Sequence, residues 1–214
     1  MLYYIGRIIV IFLKNRYYNV KARGLENIPA EGGAILAANH NDRSDPPFLI
    51  ATIKRRIYLL GEKRALETAR KYSIFLRPFV SFGGHLSIER GKGKSTIVLL
   101  KAKRLLDEGK LFCIFPEGTT KGGEKILSGK TGVARLALMS KKPVIPIAIK
   151  GTYGIITERY EWKNLNKNKD IEIRIGKPLF FDKYYGMEND RETLRNITNQ
   201  IMRQIRILYS TKKF

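Results

Sequence analysis

Three short, continuously apolar runs constrain this chain more than any other feature: Gly33-Ala34-Ile35-Leu36-Ala37-Ala38, Leu111-Phe112-Cys113-Ile114-Phe115 and Val144-Ile145-Pro146-Ile147-Ala148-Ile149. Runs of this length without polar alternation suit strands buried on both faces, which need helices above and below the sheet. The intervening segments supply them. Ser95 to Asp107 sets Val98, Leu99, Ala102, Leu105 and Leu106 at helical spacing and stops at Gly109. Thr131 to Ser140 reads the same way, Pro46-Pro47 opens another helix, and residues 64 to 79 look mainly helical. Residues 189 to 209 repeat Leu194, Ile197, Ile201, Ile205 and Leu208, an amphipathic closing helix. Further strands are expected at Val20 to Gly24, Arg56 to Leu60, His85 to Ile88 and the alternating Ile171 to Ile175. Pro146 suggests an edge or a bulge for its strand. Strands alternating with helices predict a single α/β domain, with a mixed, mostly parallel sheet covered by helices. A length of 214 residues suits one such domain; no internal repeat breaks it, and Lys163 to Lys169 reads as an exposed polar loop.

Charge narrows the partners. Against 19 Asp+Glu stand 41 Lys+Arg, a formal net charge of +22, so the partner is expected to be anionic. The single cysteine, Cys113, excludes an intrachain disulfide, and with only two histidines the chain has too few soft ligands for a structural zinc site. Up to Glu26 the N-terminus carries Arg7, Lys14, Arg16, Lys21 and Arg23 and no acid. Between Arg7 and Lys14 lies Ile8-Ile9-Val10-Ile11-Phe12-Leu13, too short for the roughly 20 apolar residues of a bilayer span. No small-residue cleavage site follows it, which argues against a signal peptide. Tyr3, Tyr4, Tyr17 and Tyr18 flank the run. Apolar body, cationic flanks and aromatics fit a helix over residues 1–18 lying on an anionic membrane surface, ahead of a domain over 19–214. An ordinary first helix packed on the core fits that segment equally well. Nucleic acid is the rival partner on charge alone. Its readers interleave aromatics with basic residues, whereas here Arg and Lys are scattered and tyrosines gather at the N-terminus, so it is not expected.

His40 directly follows the first buried run and Asp45 comes five residues later, just before Pro46. On one continuous helix the two would point about 140° apart. The prolines forbid that helix. A strand ending at His40, a turn through Asn41-Asp42-Arg43-Ser44 and a helix headed by Asp45 can instead bring the side chains together. A carboxylate on one imidazole nitrogen fixes the tautomer and frees the other to take a proton, which is a general base for a hydroxyl. Taken alone, the pair reads more simply as a helix cap and a loop residue. Other strand ends change the weight. Phe115-Pro116-Glu117-Gly118-Thr119 leaves the second buried run, and Arg90 follows the strand at His85 to Ile88 with Gly84 ahead of it. Ligands of α/β proteins sit at such carboxyl ends, and a guanidinium suits bidentate phosphate binding. Two P-loop look-alikes fail. Gly123 to Thr131 has five residues between its glycines, and Gly93-Lys94-Ser95 has Ile88 where the first glycine belongs.

These blocks together resemble the glycerolipid acyltransferase family, most closely the 1-acylglycerol-3-phosphate acyltransferases. Asn39-His40 with Asp45 matches its N-H-x-x-x-x-D, Gly84 through Ile88 to Arg90 its G-x-x-x-I-x-R, and Phe115 to Thr119 its F-P-E-G-T. Val144 to Ile149 matches its proline-containing strand, and Lys130-Thr131-Gly132 its K-x-G, so that the resemblance covers roughly residues 20 to 180. It implies acyl transfer from acyl-CoA or acyl-carrier protein to the free hydroxyl of a lysophospholipid, in phospholipid biosynthesis, at the cytoplasmic side of a membrane. His40 would deprotonate the acceptor and Asp45 orient the imidazole. Arg90 would hold the acceptor phosphate with help from Lys94 or Lys121, while Glu117, Gly118 and Thr119 shape the pocket. No metal or cofactor is implied beyond the acyl donor, and no acyl-enzyme: G-x-S-x-G is absent and Cys113 reads as an inert core residue. One departure stands out. Where the family continues E-G-T-R, this chain has Thr120 followed by Lys121, which leaves the second cationic phosphate contact open.

Overall fold

A computed structural model of the chain describes residues 2–62, 67, 86–88, 94–156 and 169–211. Their elements run α1 (Leu2–Tyr17), β1 (Tyr18–Arg23), β2 (Ala34–Ala38), α2 (Asp45–Thr52), β3 (Ile57–Glu62), β4 (Leu86–Ile88), α3 (Lys94–Asp107), β5 (Leu111–Ile114), α4 (Gly132–Ser140), β6 (Val144–Lys150), β7 (Lys169–Ile175) and α5 (Arg191–Ser210). The expected helix over 64–79 falls outside the described residues apart from Glu67, as do His85, Arg90 and most of the polar loop from Lys163.

The strands form one sheet in the order β1-β7-β6-β2-β5-β3-β4. All neighbours are parallel except β6 and β7, which are antiparallel. The three apolar runs lie side by side as β6, β2 and β5, and every residue of β2 and β5 is buried. Strand alternation sends successive side chains to opposite faces. Ala34, Leu36, Ala38, Leu111 and Cys113 pack with Phe48, Leu49 and Ile50 of α2 and with Tyr3 of α1. Ile35, Ala37, Phe112 and Ile114 pack against Leu99 and Leu106 of α3, Val133 and Leu136 of α4, and Ile197 and Ile201 of α5. The expected mixed, helix-covered sheet is therefore present. Cys113 is fully buried, and burial pushes its thiol up, as suits an inert core residue.

Pro146 lies in an interior strand rather than at an edge. The β6–β7 ladder runs from Ile147 opposite Ile175, and the next pair is Pro146 with Gly176. Gly176 donates its N–H to the Pro146 carbonyl at 2.8 Å, and the reciprocal bond is the one proline cannot make. Pairing resumes at Val144, which exchanges both backbone bonds with Leu179 one residue out of step, so the proline sits at a bulge inside the sheet. Ile171 to Ile175 alternates although β7 is also interior. Its polar face is covered, because buried Arg174 pairs with Glu172 and donates to the carbonyls of Leu208 and Thr211 at the end of α5.

Helix α1 serves the core with one face and leaves another uncovered. Tyr3 and Val10 are buried, and the Arg7 guanidinium donates to the Ile50 and Ile53 carbonyls of the α2 segment. Tyr4, Ile5, Ile8 and Phe12 are exposed on the other side. Among the described residues, no helix is long and apolar enough to cross a membrane.

Candidate active site

Parallel pairing places the ends of β2, β5 and β6 at one edge of the sheet, where the loops after them meet. The chain leaves β2 at Ala38, turns, and re-enters helix at Asp45, whose prolines suit the first turn. That turn brings the two candidate residues together: His40 Nδ1 lies 2.9 Å from Asp45 Oδ2. Asp45 is fully buried, and its Oδ2 also accepts the Asp42 N–H at 2.9 Å. The imidazole stacks on Phe115 with ring centroids 4.0 Å apart. One ring nitrogen is thereby engaged by a carboxylate and one ring face by an aromatic. Nε2 makes no hydrogen bond among the described residues, and the side chain is 18% exposed.

Glu117 reaches the same loop by a route its sequence context does not disclose. Its Oε1 accepts the His40 backbone N–H at 2.9 Å and its Oε2 accepts the Leu127 N–H at 2.7 Å. Only 4% exposed, it braces the His40 loop with both oxygens occupied. Burial raises its carboxyl above the ordinary range, opposed by these two bonds and by His40. Gly118 follows at φ +64°, a conformation that favours glycine. Thr119 Oγ1 accepts the Lys121 N–H at 3.2 Å, and Lys121 itself is exposed. Lys94 is the first residue of α3, and Arg90 lies outside the described residues.

The roles of three side chains around His40 escaped the sequence reading, which had Asn39 only as part of the N-H-x-x-x-x-D match. Asn39 extends the β2–β6 ladder: its amide donates to the Ile149 carbonyl at 2.8 Å and its carbonyl accepts the Ile149 N–H at 2.7 Å. Buried Asp42 accepts the N–H groups of Ser44, Gly154 and Ile156, fastening the loop after β6 to the His40 turn. Burial raises its carboxyl too. Tyr209, near the end of α5, places its hydroxyl 3.4 Å from the Asn41 amide, bringing the far end of the chain to the same edge. Asn39 and Asn41 flank His40 and were the available signal; nothing local marks Tyr209. No three His, Cys, Asp or Glu side chains among the described residues stand together as a metal site.

The family profile described as Acyltransferase matches residues 19–150, which includes the His40 turn, the Phe115–Thr119 segment and β6. The chain belongs to the acyltransferase family. This acyltransferase is 26% identical over 188 residues to the 1-acyl-sn-glycerol-3-phosphate acyltransferase of Borreliella burgdorferi, covering 85% of this chain and 70% of that protein. It is 27% identical over 161 residues to the enzyme of the same name from Bacillus subtilis, covering 75% and 73%. Its fold matches the crystal structure of the 1-acyl-sn-glycerophosphate (LPA) acyltransferase PlsC from Thermotoga maritima, with a TM-score of 0.68 and 23% identity over 98% of this chain and 82% of that one.

Proposed function

We propose that this acyltransferase moves a fatty acyl group from an acyl thioester, acyl-CoA or acyl-carrier protein, to the free hydroxyl of 1-acylglycerol-3-phosphate, giving phosphatidic acid. The observation that carries the reading is the His40–Asp45 contact of 2.9 Å, with Nε2 left open. Asp45 fixes the tautomer that carries its proton on Nδ1, so Nε2 accepts the hydroxyl proton as the alkoxide forms. The imidazolium is stabilised by the buried carboxylate. The alkoxide attacks the thioester carbonyl, the carbon–sulfur bond breaks, and the departing thiolate takes the proton back from Nε2. Ester and thiol are the products, and His40 is restored. The curated relatives carry the acceptor's name, which supports the lysophosphatidate assignment.

The surface of α1 supports a membrane setting. The uncovered face of α1 presents Tyr4, Ile5, Ile8 and Phe12, with Arg16 exposed near its end. Such a face suits an anionic bilayer, on the cytoplasmic side where the donors are found. The deciding experiment incubates the purified protein with lysophosphatidate and acyl thioesters and resolves the products by mass. Phosphatidic acid from the wild type and none from His40→Ala is the expected result. Acylation of a different lysolipid in preference to lysophosphatidate would overturn the acceptor, and equal turnover by the alanine variant would overturn the mechanism.

A further inference from the structure

We propose that Lys130 is the residue that grips the acceptor phosphate beside Gly118, an inference that rests on the lysophosphatidate reading for its ligand. A Cβ on Gly118 would stand 2.7 Å from Lys130 Nζ, 3.1 Å from Cε and 3.3 Å from Cδ. The end of the lysine therefore lies across a residue that has no side chain to hold it off. Gly118 donates its N–H to the Phe115 carbonyl at 3.0 Å, closing a turn whose other end, Phe115, carries the stacked His40 ring, so the ammonium and the imidazole lie at the two ends of one turn. In 1-acylglycerol-3-phosphate the reacting hydroxyl and the phosphate sit on adjacent carbons. A cation that grips the phosphate must accordingly stand near the base, and Lys130 lies at the far end of the turn on which the His40 ring stacks.

Its backbone is held from both sides. Lys130 N–H donates to the Pro116 carbonyl at 2.8 Å, and the Leu127 N–H donates to Glu117. From α5, Arg195 donates to the Gly129 carbonyl at 2.8 Å and Arg206 to the Leu127 carbonyl at 3.1 Å. Gly129 is packed so closely that a Cβ would meet Met202 Cγ at 2.8 Å and Thr198 Cγ2 at 2.9 Å. The lysine is exposed, and among the described residues no carboxylate pairs with it, since both oxygens of neighbouring Glu117 are spent on backbone N–H groups. The clamped backbone fixes where the side chain starts, its ammonium has no carboxylate to leave, and lysine binds phosphate as a point charge.

The test measures calorimetric binding of a short-chain, soluble lysophosphatidate in 0.15 M salt (to screen long-range attraction, at about an 8 Å Debye length), alongside acceptor KM in the transfer assay. Lys130→Gln is expected to weaken binding and raise KM about tenfold, the lower end of what a hydrogen bond to a charged group contributes. Lys130→Arg should keep most of the affinity. Lys125→Gln removes one charge from the same connection and serves as the control, expected to bind as the wild type does. Equal affinity of wild type and Lys130→Gln, an equal loss in Lys125→Gln, or no binding by the wild type overturns the proposal. If the wild type binds lysophosphatidate without acylating it and Lys130→Gln still weakens binding, the acyl-transfer reading falls and the phosphate site stands.

Discussion

Glu117→Gln separates two roles for the acid that follows Pro116. If Glu117 lined the acceptor pocket, its amide would weaken acceptor binding. The structure instead gives both carboxylate oxygens to backbone donors, His40 N–H at 2.9 Å and Leu127 N–H at 2.7 Å, with the side chain only 4% exposed. Glutamine has the same shape but one acceptor oxygen. Whichever way it turns, an NH2 group faces a backbone N–H, one bond is lost, and a buried donor is left without a partner. Leaving a buried polar group unsatisfied costs about 1–3 kcal/mol. For a domain of this size a loss of about 2 kcal/mol lowers Tm by about 4–8 °C. The strain falls on the His40 loop or on Leu127, and a base shifted from its geometry costs about 10- to 100-fold in rate. Glu117→Gln should therefore show a lower Tm and a lower kcat, with acceptor KM changed by about twofold at most. Thermal melts and steady-state kinetics with varied acceptor measure all three. A tenfold rise in KM with kcat and Tm unchanged would refute the bracing role and return Glu117 to the acceptor pocket.

His40→Ala should lose about 100-fold or more in kcat while melting close to the wild type, since the ring is partly exposed; unchanged turnover by folded protein sinks the general-base assignment. Burial holds the Glu117 carboxyl above its ordinary value, so on acidification the folded chain takes up that proton before the unfolded chain does. This contribution to stability is complete below the ordinary carboxylate pKa and is lost as pH rises through the higher folded value. The stability gap between wild type and Glu117→Gln, from urea midpoints over that window, should widen as pH falls; a gap that narrows contradicts the shift. Replacing exposed Ile5, Ile8 and Phe12 together by Ser spares buried Tyr3 and Val10 and should cut affinity for anionic vesicles about 1000-fold or more, since each large apolar side chain removed from water contributes about 1.5–3 kcal/mol. Sedimentation with vesicles that carries down the triple variant as well as the wild type would remove α1 from the membrane contact.

What could be read ahead of the structure was whatever a few neighbouring residues determine. Buried runs marked β2, β5 and β6, and the prolines after Asp45 made a turn the only way for it to meet His40. The unread part is made by backbone groups distant in sequence. Asp45 was expected on the imidazole and is there, but nothing in the sequence says that Asp42, the other acid of that turn, fastens Gly154 and Ile156. Glu117 is the clearer case, because its partners lie 77 residues before it and 10 after it, and both are N–H groups that every non-proline residue has. Pro146 was half read. The missing donor allowed an edge or a bulge, and the strand is interior: pairing with the segment after β7 slips by one residue between Pro146–Gly176 and Val144–Leu179, as in a bulge. Lys130 was marked as part of the Lys130-Thr131-Gly132 match, but its place across Gly118 depends on a side chain that Gly118 lacks and could not be read there. Motif residues thus picked out the candidate site, while the side chains that hold His40 in place came into view only once the loops after β2, β5 and β6 were brought to one edge.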